Sequence, residues 1–396
     1  MNLLYKEKGM EILMEKTVWA RSIAEKIREK YPEVVKRNLG KVPYRAREGK
    51  FDDLSGKDIC WWTNGFYGGM LWQLYRLTGD TLYKEEAENL EDKLDAVLLN
   101  YNGMDHDSGF RFLPTAVADF RITGREKSKN RGLLAAANLA GRFNPQGNFI
   151  RAWNDNGTGE NEGWAIIDCM MNLPLLYWAT KVTKDPRFYQ IAVRHADTAM
   201  KYFIREDGSS RHIVEFDPAT GAFVQDFGGQ GYEKGSSWTR GQAWALYGFT
   251  LSYLHTRDQK YLDTAKKVAS YFISNIPESG LIPVDFRQPK ESVWEDSTAA
   301  AIAASGLLLL SQMLSGEDSD AEVKDEEAAK NAEDAALKML TALAEKRCSF
   351  GTDRDELLEK CTAAYHDQDH EYPIIYGDYY FIEAILRLTG DELFIW

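Results

Sequence analysis

The sequence predicts an all-α protein folded as an (α/α)6 barrel, a toroid of six helical hairpins with inner helices inside outer ones. Two observations predict this fold: a short turn pattern that recurs six times in 396 residues, and an alternation between helices that are apolar on most sides and helices that are amphipathic. A helix that is hydrophobic all round is buried, whereas an amphipathic helix covers a core with one face. Alternation of the two kinds therefore predicts two concentric rings.

The turn pattern places a Thr or Ser after an apolar helical stretch, usually with an acidic residue two positions later. Its instances are L-T-G-D at 77–80, I-T-G-R at 122–125, V-T-K-D at 182–185, H-T-R-D at 255–258, L-S-G-E at 314–317 and L-T-G-D at 388–391. Thr or Ser followed by Asp is typical of a helix end that leads into the capped start of the next helix.

The stretches before these turns are the predicted inner helices, at about 64–77, 108–122, 163–181, 240–255, 297–314 and 378–388. The helices that follow are amphipathic, as shown by Tyr261, Ala265, Val268 and Phe272 at helical spacing. A further outer helix is predicted at about 12–31, and the short C-terminal helix should close the ring against it. We predict one toroid domain over residues 1–396, since a plain helical solenoid would show a more regular period.

Long links precede the inner helices, at 31–63, 100–107, 142–163, 204–239, 275–296 and 347–377. Because consecutive helices alternate in direction, all of these links lie at one end of the ring. We expect a pocket at that end, since loops on a rigid scaffold commonly form binding sites.

Composition excludes several classes of partner. The net charge of −13 argues against nucleic acid and anionic membranes, which require a basic surface. The four cysteines form no C-x-x-C pair and are predicted to be reduced thiols. The charged N-terminal stretch does not resemble a signal peptide, and the apolar run Ala299–Leu310 is too short to cross a bilayer. These features predict a cytoplasmic protein.

No metal or other cofactor is predicted. His366 and His370 have the i, i+4 spacing of metal ligands, but the Tyr-Pro pair that follows indicates a loop and not a helix. The oligomeric state is left open by the sequence.

Asp168 is the only charged residue in the apolar stretch W-A-I-I-D-C-M-M-N-L-P-L-L-Y-W-A-T that precedes Lys181. A carboxylate there would lose hydration, so folding should give it partners or keep it protonated. A protonated Asp that faces a cavity is a ready general acid. The alternative, an acid satisfied by hydroxyl or backbone groups, stays open.

Further polar and aromatic residues fall at the predicted pocket end. With Asp168, the candidate site comprises Trp62, His106, Asp107, Phe110, Trp153, His212, Trp238, Arg240 and Trp244. Taken singly, each Trp is more readily a core residue and Arg240 the partner of an acid. Together, two acids, an Arg and several Trp provide what an acidic sugar needs: stacking faces, a carboxylate clamp and proton-transfer groups.

Seven motifs in order resemble glycoside hydrolase family 88, the unsaturated glucuronyl hydrolases, from about Trp61 to Leu388. They are W-T-N-G-F at 62–66, H-D-S-G-F at 106–110, I-R-A-W-N at 150–154, I-I-D-C-M-M-N-L-P-L-L at 166–176, V-E-F-D-P at 214–218, W-T-R-G-Q-A-W at 238–244 and I-Y-G-D-Y-Y-F-I-E-A at 375–384. The family fold is an (α/α)6 barrel, in agreement with the helix pattern.

The resemblance implies hydration of a vinyl ether in oligosaccharides that carry a Δ4,5-unsaturated uronic acid, the product of polysaccharide lyases, at the non-reducing end. In the family's mechanism an Asp that matches Asp168 protonates C4 and helps water to add at C5, after which the neighbouring sugar is released. This chemistry suits a carboxyl group that starts neutral. The rule that the distance between two catalytic carboxylates predicts retention or inversion in glycosidases then does not apply.

The resemblance also assigns roles around Asp168. Asp107 matches the acid that holds the sugar hydroxyls, and we expect its proximity to raise the pKa of Asp168. Arg240 is our first candidate for the substrate carboxylate, and Phe110 and Trp62 would shape the floor of the pocket. His106, Trp153, His212 and Trp244 also match pocket positions, and the Trp residues, Trp238 included, are candidates for stacking.

Two departures from the family pattern stand out. Gly229 occupies a position where some members have His, which leaves the role of that position open. The stretch H-D-Q-D-H-E-Y-P-I at 366–374 is acidic where members that favour sulfated glycosaminoglycans carry a Ser-x-x-Ser-x-Lys patch. We therefore expect a preference for unsulfated substrates.

Three other functions remain open at this point. Unsaturated rhamnogalacturonyl hydrolases share the toroid and the chemistry but act on pectin fragments, and their loop tends towards R-G-N-G-W where this chain has R-G-Q-A-W at 240–244. A sugar epimerase or inverting glycosidase would turn over saturated sugars. A non-catalytic sugar-binding toroid would leave the alkene intact.

Overall fold

The computed structural model describes residues 2–155, 159–291, 293–316 and 324–396. The outer helices are α1 (Asn2–Arg37), α3 (Thr81–Lys93), α7 (Glu126–Gly141), α9 (Pro186–Tyr202), α11 (Gln259–Ser274) and α13 (Glu326–Lys346). The inner helices are α2 (Phe66–Thr78), α5 (Ser108–Phe112) with α6 (Ala118–Thr123), α8 (Leu173–Thr183), α10 (Thr239–Thr256), α12 (Ser297–Ser315) and α14 (Ile375–Thr389). A π-helical segment, Leu113–Val117, joins α5 to α6, and the short α4 (Asp95–Leu98) follows α3.

The predicted (α/α)6 barrel is confirmed, and α14 closes it. Phe66 of α2 packs against Tyr379 of α14 with ring centroids 5.4 Å apart. On its other side, α14 meets α1, where the Tyr31 hydroxyl donates a hydrogen bond of 3.4 Å to Asp378. One cluster of buried hydrophobic residues extends from Ile23 to Trp396, so a single core joins the two ends of the described chain.

The six recurring turns share one backbone conformation. The third residue of each pattern caps its inner helix in the left-handed region, with φ between 58° and 79°. Four of these residues are Gly, which adopts this conformation freely, and the other two are Lys184 and Arg257. Asp80, Asp185 and Asp258 then accept hydrogen bonds from the first turn of the outer helix, as the sequence pattern predicts.

The third inner helix is shorter than predicted. The sequence predicts a helix over 163–181, but Trp164–Ile166 is a strand, Ile167–Met171 is a 3-10 helix, and α8 begins at Leu173. Strand pairing with Ile213–Phe216 holds the first part of this stretch. Pro174 then lies in the first turn of α8, where its missing N–H costs no hydrogen bond.

Among the described residues, the links and the stretch that follows the third of them also contain three small antiparallel sheets that the helical periodicity did not predict. They are β1 (Ala46–Arg47) with β2 (Lys50–Phe51), β3 (Phe143–Asn144) with β4 (Phe149–Ile150), and the sheet of β5 (Trp164–Ile166), β6 (Ile213–Phe216) and β7 (Phe223–Phe227). The helices at both ends also exceed their predicted bounds, since α1 extends over Asn2–Arg37 and α14 begins at Ile375.

Within the described ranges, α12 is the one helix that is long and apolar enough to cross a membrane. Of its most apolar stretch, 89% is buried inside the protein, as is expected of a core helix. Its apolar sequence is accounted for by its place in the inner ring.

The turns offer a matched pair of substitutions. Lys184 and Gly79 are both exposed, have φ of 61° and 72°, and occupy the same place in their turns. A Cβ at residue 79 would meet no heavy atom within 4 Å, so only backbone conformation differs between the two residue types. We expect Lys184→Gly to stabilise the protein by up to about 1 kcal/mol and Gly79→Lys to destabilise it by about 1 kcal/mol. Thermal unfolding checks both signs, and a shift in the same direction for both variants would contradict this account.

Candidate active site

A cavity of about 510 Å³ opens at the end of the ring where the long links meet. Six of the predicted site residues line it: Trp62, His106, Asp107, Trp153, Asp168 and His212. The other lining residues are Asp58, Cys60, Trp61, Asn102, Gly103, Asp105, Ile166, Ile213, Gly229 and Gln230. The structure thus brings together both predicted acids and both predicted histidines in one cavity.

Asp168 lies on the 3-10 helix between β5 and α8, and not on a continuous helix. Strand β5 fixes the start of this segment, and the Ile167 N–H donates a 3.1 Å hydrogen bond to the His212 carbonyl oxygen on the neighbouring link. The Oδ1 atom of Asp168 is buried and has no hydrogen-bond partner in the described structure. The alternative that hydroxyl or backbone groups satisfy the acid fails for this oxygen, although a hydrogen bond from the backbone of Asp168 itself acts on the carboxyl group.

Burial raises the pKa of Asp168 to about 7, because a carboxylate in this position loses its hydration. The positive charge of Arg240 acts in the opposite direction and limits the shift. Near neutral pH, Asp168 is thus poised between its two protonation states, as a group that must donate and then recover a proton requires.

Asp107 is held beside Asp168 by Asn172. The Asn172 Nδ2 atom donates to Asp107 Oδ1 at 3.3 Å and to the backbone oxygen of Asp168 at 3.2 Å. Burial raises the pKa of Asp107, with further contributions from the charges of Asp105 and Asp168. Burial is what raises the pKa of Asp168, and the expected contribution of Asp107 to that shift stays a prediction.

Both cavity histidines are neutral. Burial lowers the pKa of His106 to about 4 and that of His212 to about 3. The His212 Nδ1 atom accepts the Gln230 N–H at 3.0 Å, which places its proton on Nε2. His106 Nε2 lies 3.5 Å from Asp107 Oδ2.

The structure gives a physical reason for Gly229. A Cβ at this position would lie 1.9 Å from His212 Nδ1, and the backbone has a φ of +57°. The backbone of this loop thus packs directly against the imidazole, and no side chain fits here without displacing His212. Where some family members have His, this chain has a Gly whose backbone packs against His212.

Four predicted site residues do not line the cavity. Phe110 packs beneath Trp62, with ring centroids 5.4 Å apart, and Trp244 packs against Phe110 at 5.0 Å. Trp238 supports His212, with ring centroids 4.2 Å apart. These aromatic side chains form a layer under the cavity wall, and a stacking role for Trp238 and Trp244 stays a prediction.

Arg240 also lies behind the cavity wall, with its guanidinium group buried. Its Nη1 donates to Asp296 Oδ2 at 2.8 Å, and further donors bind the backbone oxygens of Thr362 and Ala363. The guanidinium is 4.5 Å from the ring centroid of Trp238. Because these donors are used within the protein, direct binding of a substrate carboxylate by Arg240 stays a prediction.

Among the site residues that were not singled out from the sequence, two hold the acids in place. Asp105 accepts the Asp107 N–H at 2.9 Å and pairs with Arg111 at 2.5 Å, so it orients the loop that carries Asp107. Asn172 binds both catalytic candidates. Each had a local signal, because Asp105 lies two residues before Asp107 and Asn172 four residues after Asp168.

The family model for Glycosyl Hydrolase Family 88 matches residues 34–308. The chain is 37% identical over 340 residues to an unsaturated glucuronyl hydrolase of Bacillus sp. (strain GL1), covering 85% of this chain and 88% of that protein. It is 34% identical over 340 residues to an unsaturated chondroitin disaccharide hydrolase of Streptococcus pneumoniae (strain ATCC BAA-255 / R6), covering 85% of this chain and 83% of that one.

The chain belongs to glycosyl hydrolase family 88. The fold agrees as well: a crystal structure of the unsaturated glucuronyl hydrolase from Bacillus sp. GL1 has a TM-score of 0.83 and 34% sequence identity, covering 91% of this chain and 95% of that one. The prediction of an enzyme that hydrolyses oligosaccharides ending in an unsaturated uronate is thereby confirmed. The individual roles of the site residues stay predictions.

The raised pKa of Asp168 predicts a pH-dependent stability difference. The folded protein holds this proton up to about pH 7, whereas an unfolded chain releases it near pH 4, so ionisation of Asp168 lowers stability as the pH rises through that window. Asp168→Asn cannot ionise and should unfold at a higher temperature than the wild type at pH 8, with a much smaller difference at pH 5. Thermal unfolding at both pH values tests this, with Asp334→Asn on the outer helix α13 as control. An equal difference at the two pH values would contradict it.

Proposed function

We propose that this enzyme hydrates the C4=C5 double bond of a Δ4,5-unsaturated uronic acid, with Asp168 as the group that donates and recovers the proton. One observation carries the proposal: a carboxyl group with a pKa of about 7 and an unpartnered oxygen faces a cavity large enough for a sugar. A neutral carboxyl group is needed because the atom to be protonated is a carbon and not a good base.

In the first step the Asp168 carboxyl proton is transferred to C4, and the positive charge that develops at C5 is shared with the ring oxygen. Asp168 becomes a carboxylate in this step. The nearby charge of Arg240 favours the ionised form and so assists the transfer without touching the substrate. This role requires only the position that the structure gives Arg240.

In the second step a water oxygen bonds to C5, and a proton of that water returns to Asp168. The product is a hemiketal at C5, which opens by breaking the bond between C5 and the ring oxygen. This leaves a ketone at C5 and a hemiacetal at C1, and the hemiacetal then expels the neighbouring sugar. The enzyme recovers its starting protonation state, so one acid serves both steps.

Asp107 is assigned the binding of sugar hydroxyls next to the reacting carbons. Asn172 holds its carboxylate beside Asp168, and Asp105 fixes its backbone. Trp62 and Trp153 line the cavity and offer aromatic faces for stacking on the sugar rings. His106 and His212 have lowered pKa values, so they are too weakly basic to take the proton from Asp168.

We also propose, from composition alone, that the protein is cytoplasmic and has no nucleic-acid or membrane partner. These proposals rest on the net charge of −13. The burial of α12 inside the ring is compatible with them.

Replacing the proton donor tests the reaction directly. Asp168→Asn keeps the shape of the side chain but removes its acidic proton, and we expect loss of kcat by at least about 100-fold. The measurement is the decay of the ultraviolet absorbance of the conjugated alkene in unsaturated hyaluronan and chondroitin disaccharides. Asp334→Asn is again the control and should retain wild-type rates. Undiminished alkene consumption by Asp168→Asn would refute the assigned role.

We also propose a preference for unsulfated substrates, on different grounds from those given by the sequence. The acidic stretch at 366–374 is partly neutralised, because Asp369 pairs with Arg45 at 3.5 Å and Glu371 with Lys360 at 2.5 Å. The stronger support is the catalytic cavity itself. Its described lining residues include no Lys or Arg that could bind a sulfate, and the exposed Asp58 is the acid there that would repel one. The carboxyl groups of Asp107 and Asp168 have raised pKa values, and Asp105 pairs with Arg111.

The sulfate preference can be tested with a matched pair of substrates. The unsulfated chondroitin disaccharide should be consumed with a higher kcat/KM than its 6-sulfated form. Asp58 is exposed at the mouth of the cavity, so Asp58→Asn should narrow the difference by removing one repelling charge. Equal kcat/KM values for the two disaccharides with the wild type would contradict the proposal.

A further inference from the structure

A second cavity of about 960 Å³ lies at the same end of the ring and is here named the outer cavity. It is lined by residues 45–48 of the β1–β2 hairpin, by Trp294, and by residues 368–373 of the link before α14. None of these residues lines the catalytic cavity. The reaction proposed above does not use it.

One residue separates the two cavities on the side of the β1–β2 hairpin. The Tyr44 ring packs edge-on against Trp61 of the catalytic cavity, with centroids 5.4 Å apart. The Tyr44 hydroxyl lies 3.4 Å from that of Tyr372, which lines the outer cavity. Tyr44 thus contacts both walls.

Tyr365 forms a second bridge of one residue. The Tyr365 N–H donates to the backbone oxygen of Gln230 in the catalytic cavity at 2.9 Å. The Tyr365 carbonyl oxygen lies 2.8 Å from His370 Nε2 in the outer cavity. Because each bridge is one residue wide, the two cavities are immediate neighbours at this end of the ring.

The outer cavity has the residue types that bind acidic sugars. Trp294 is 36% exposed, and its ring is stacked on His370 with centroids 4.3 Å apart and planes 4° apart. The hydrogen bond to Tyr365 fixes His370, so the indole is held from behind as a rigid platform. Such a platform can stack on a pyranose ring without first losing side-chain entropy.

Two arginines supply a site for a carboxylate. Arg45 and Arg47 share Asp369 at 3.5 and 4.0 Å, distances that leave guanidinium donors free for a ligand. The Arg47 side chain is 68% exposed. Three acids also line this cavity: Asp369 pairs with the two arginines, Glu371 pairs with Lys360, and Glu48 is left to oppose an anionic ligand.

We propose that the outer cavity binds the third sugar of the substrate, counted from the unsaturated uronate, and that it favours a uronate there. This inference rests on the proposed function, because it assumes that the unsaturated sugar occupies the catalytic cavity. A binding site for the third sugar makes the enzyme better suited to tetrasaccharides of alternating uronate and amino sugar than to disaccharides. The stacking on Trp294 would accept any pyranose, while Arg45 and Arg47 would select the charged one.

The first test compares unsaturated hyaluronan disaccharide and tetrasaccharide. The wild type should have a KM for the tetrasaccharide about tenfold below that for the disaccharide. Trp294→Ala should abolish this advantage and leave kcat and the disaccharide KM unchanged. Val293→Ala is the matched control, because Val293 is 55% exposed, adjacent in sequence, and outside the cavity lining. Equal KM values for the two chain lengths in the wild type, or equal losses on both substrates in Trp294→Ala, would overturn the proposal.

The second test examines the charge of the third sugar. Arg47→Gln should raise the KM for the hyaluronan tetrasaccharide, and Glu48→Gln should lower it, with both effects reduced at high salt. Neither change should affect an unsaturated glucuronyl-glucosyl-rhamnosyl-glucose, whose third sugar is neutral. Equal effects on the charged and the neutral tetrasaccharide would exclude a carboxylate site.

Direct binding separates failure of this inference from failure of the proposed function. If the wild type consumes no unsaturated sugar, the proposed reaction is wrong. Calorimetric binding of the hyaluronan tetrasaccharide to the wild type and to Trp294→Ala then decides on the outer cavity. Weaker binding by Trp294→Ala than by Val293→Ala supports the site, and equal binding refutes it.

Discussion

The burial of the Asp168 carboxyl group, with one oxygen that has no hydrogen-bond partner in the described structure, is the constraint on which the site depends. Folding gains nothing from such a group, since an unsatisfied polar atom costs free energy and an ionised one costs more. The surrounding structure offsets that free-energy cost. Strand β5 and the 3-10 helix fix the backbone of Asp168, and Asn172 holds Asp107 beside it. A protein that paired this carboxylate with a nearby cation would be more stable and would have no acid to donate.

The toroid makes this arrangement possible because the helices that stabilise the fold and the links that form the catalytic cavity are different parts of the chain. In the described ranges, six inner helices bury a continuous core, and each of them ends in a left-handed cap at the same end of the ring. The other end is left to long links, which contribute the sheets and loops around the cavity. Arg240 contributes to both parts. Its ion pair with Asp296 joins α10 to the start of α12, and its positive charge lowers the pKa of Asp168.

The ring was predictable from the sequence because apolar periodicity and turn residues are local signals. The position of Asp168 in a cavity was predictable for the same reason, but its 3-10 segment was not, since β5 pairs with a strand about fifty residues away. The partners of Arg240 were not predictable, because Asp296, Thr362 and Ala363 come from distant links. The contact between Gly229 and His212 is likewise a tertiary feature, invisible until the loop is folded.

The central claim is that Asp168 is protonated near neutral pH in the folded enzyme. Carbon-13 NMR of protein labelled at the aspartate carboxyl carbons measures this directly, and the signal absent from Asp168→Asn identifies the residue. We expect this signal to titrate with a midpoint near pH 7. A midpoint near pH 4, the value of an ordinary Asp, would contradict it, because the carboxyl group would then have no proton to give to C4.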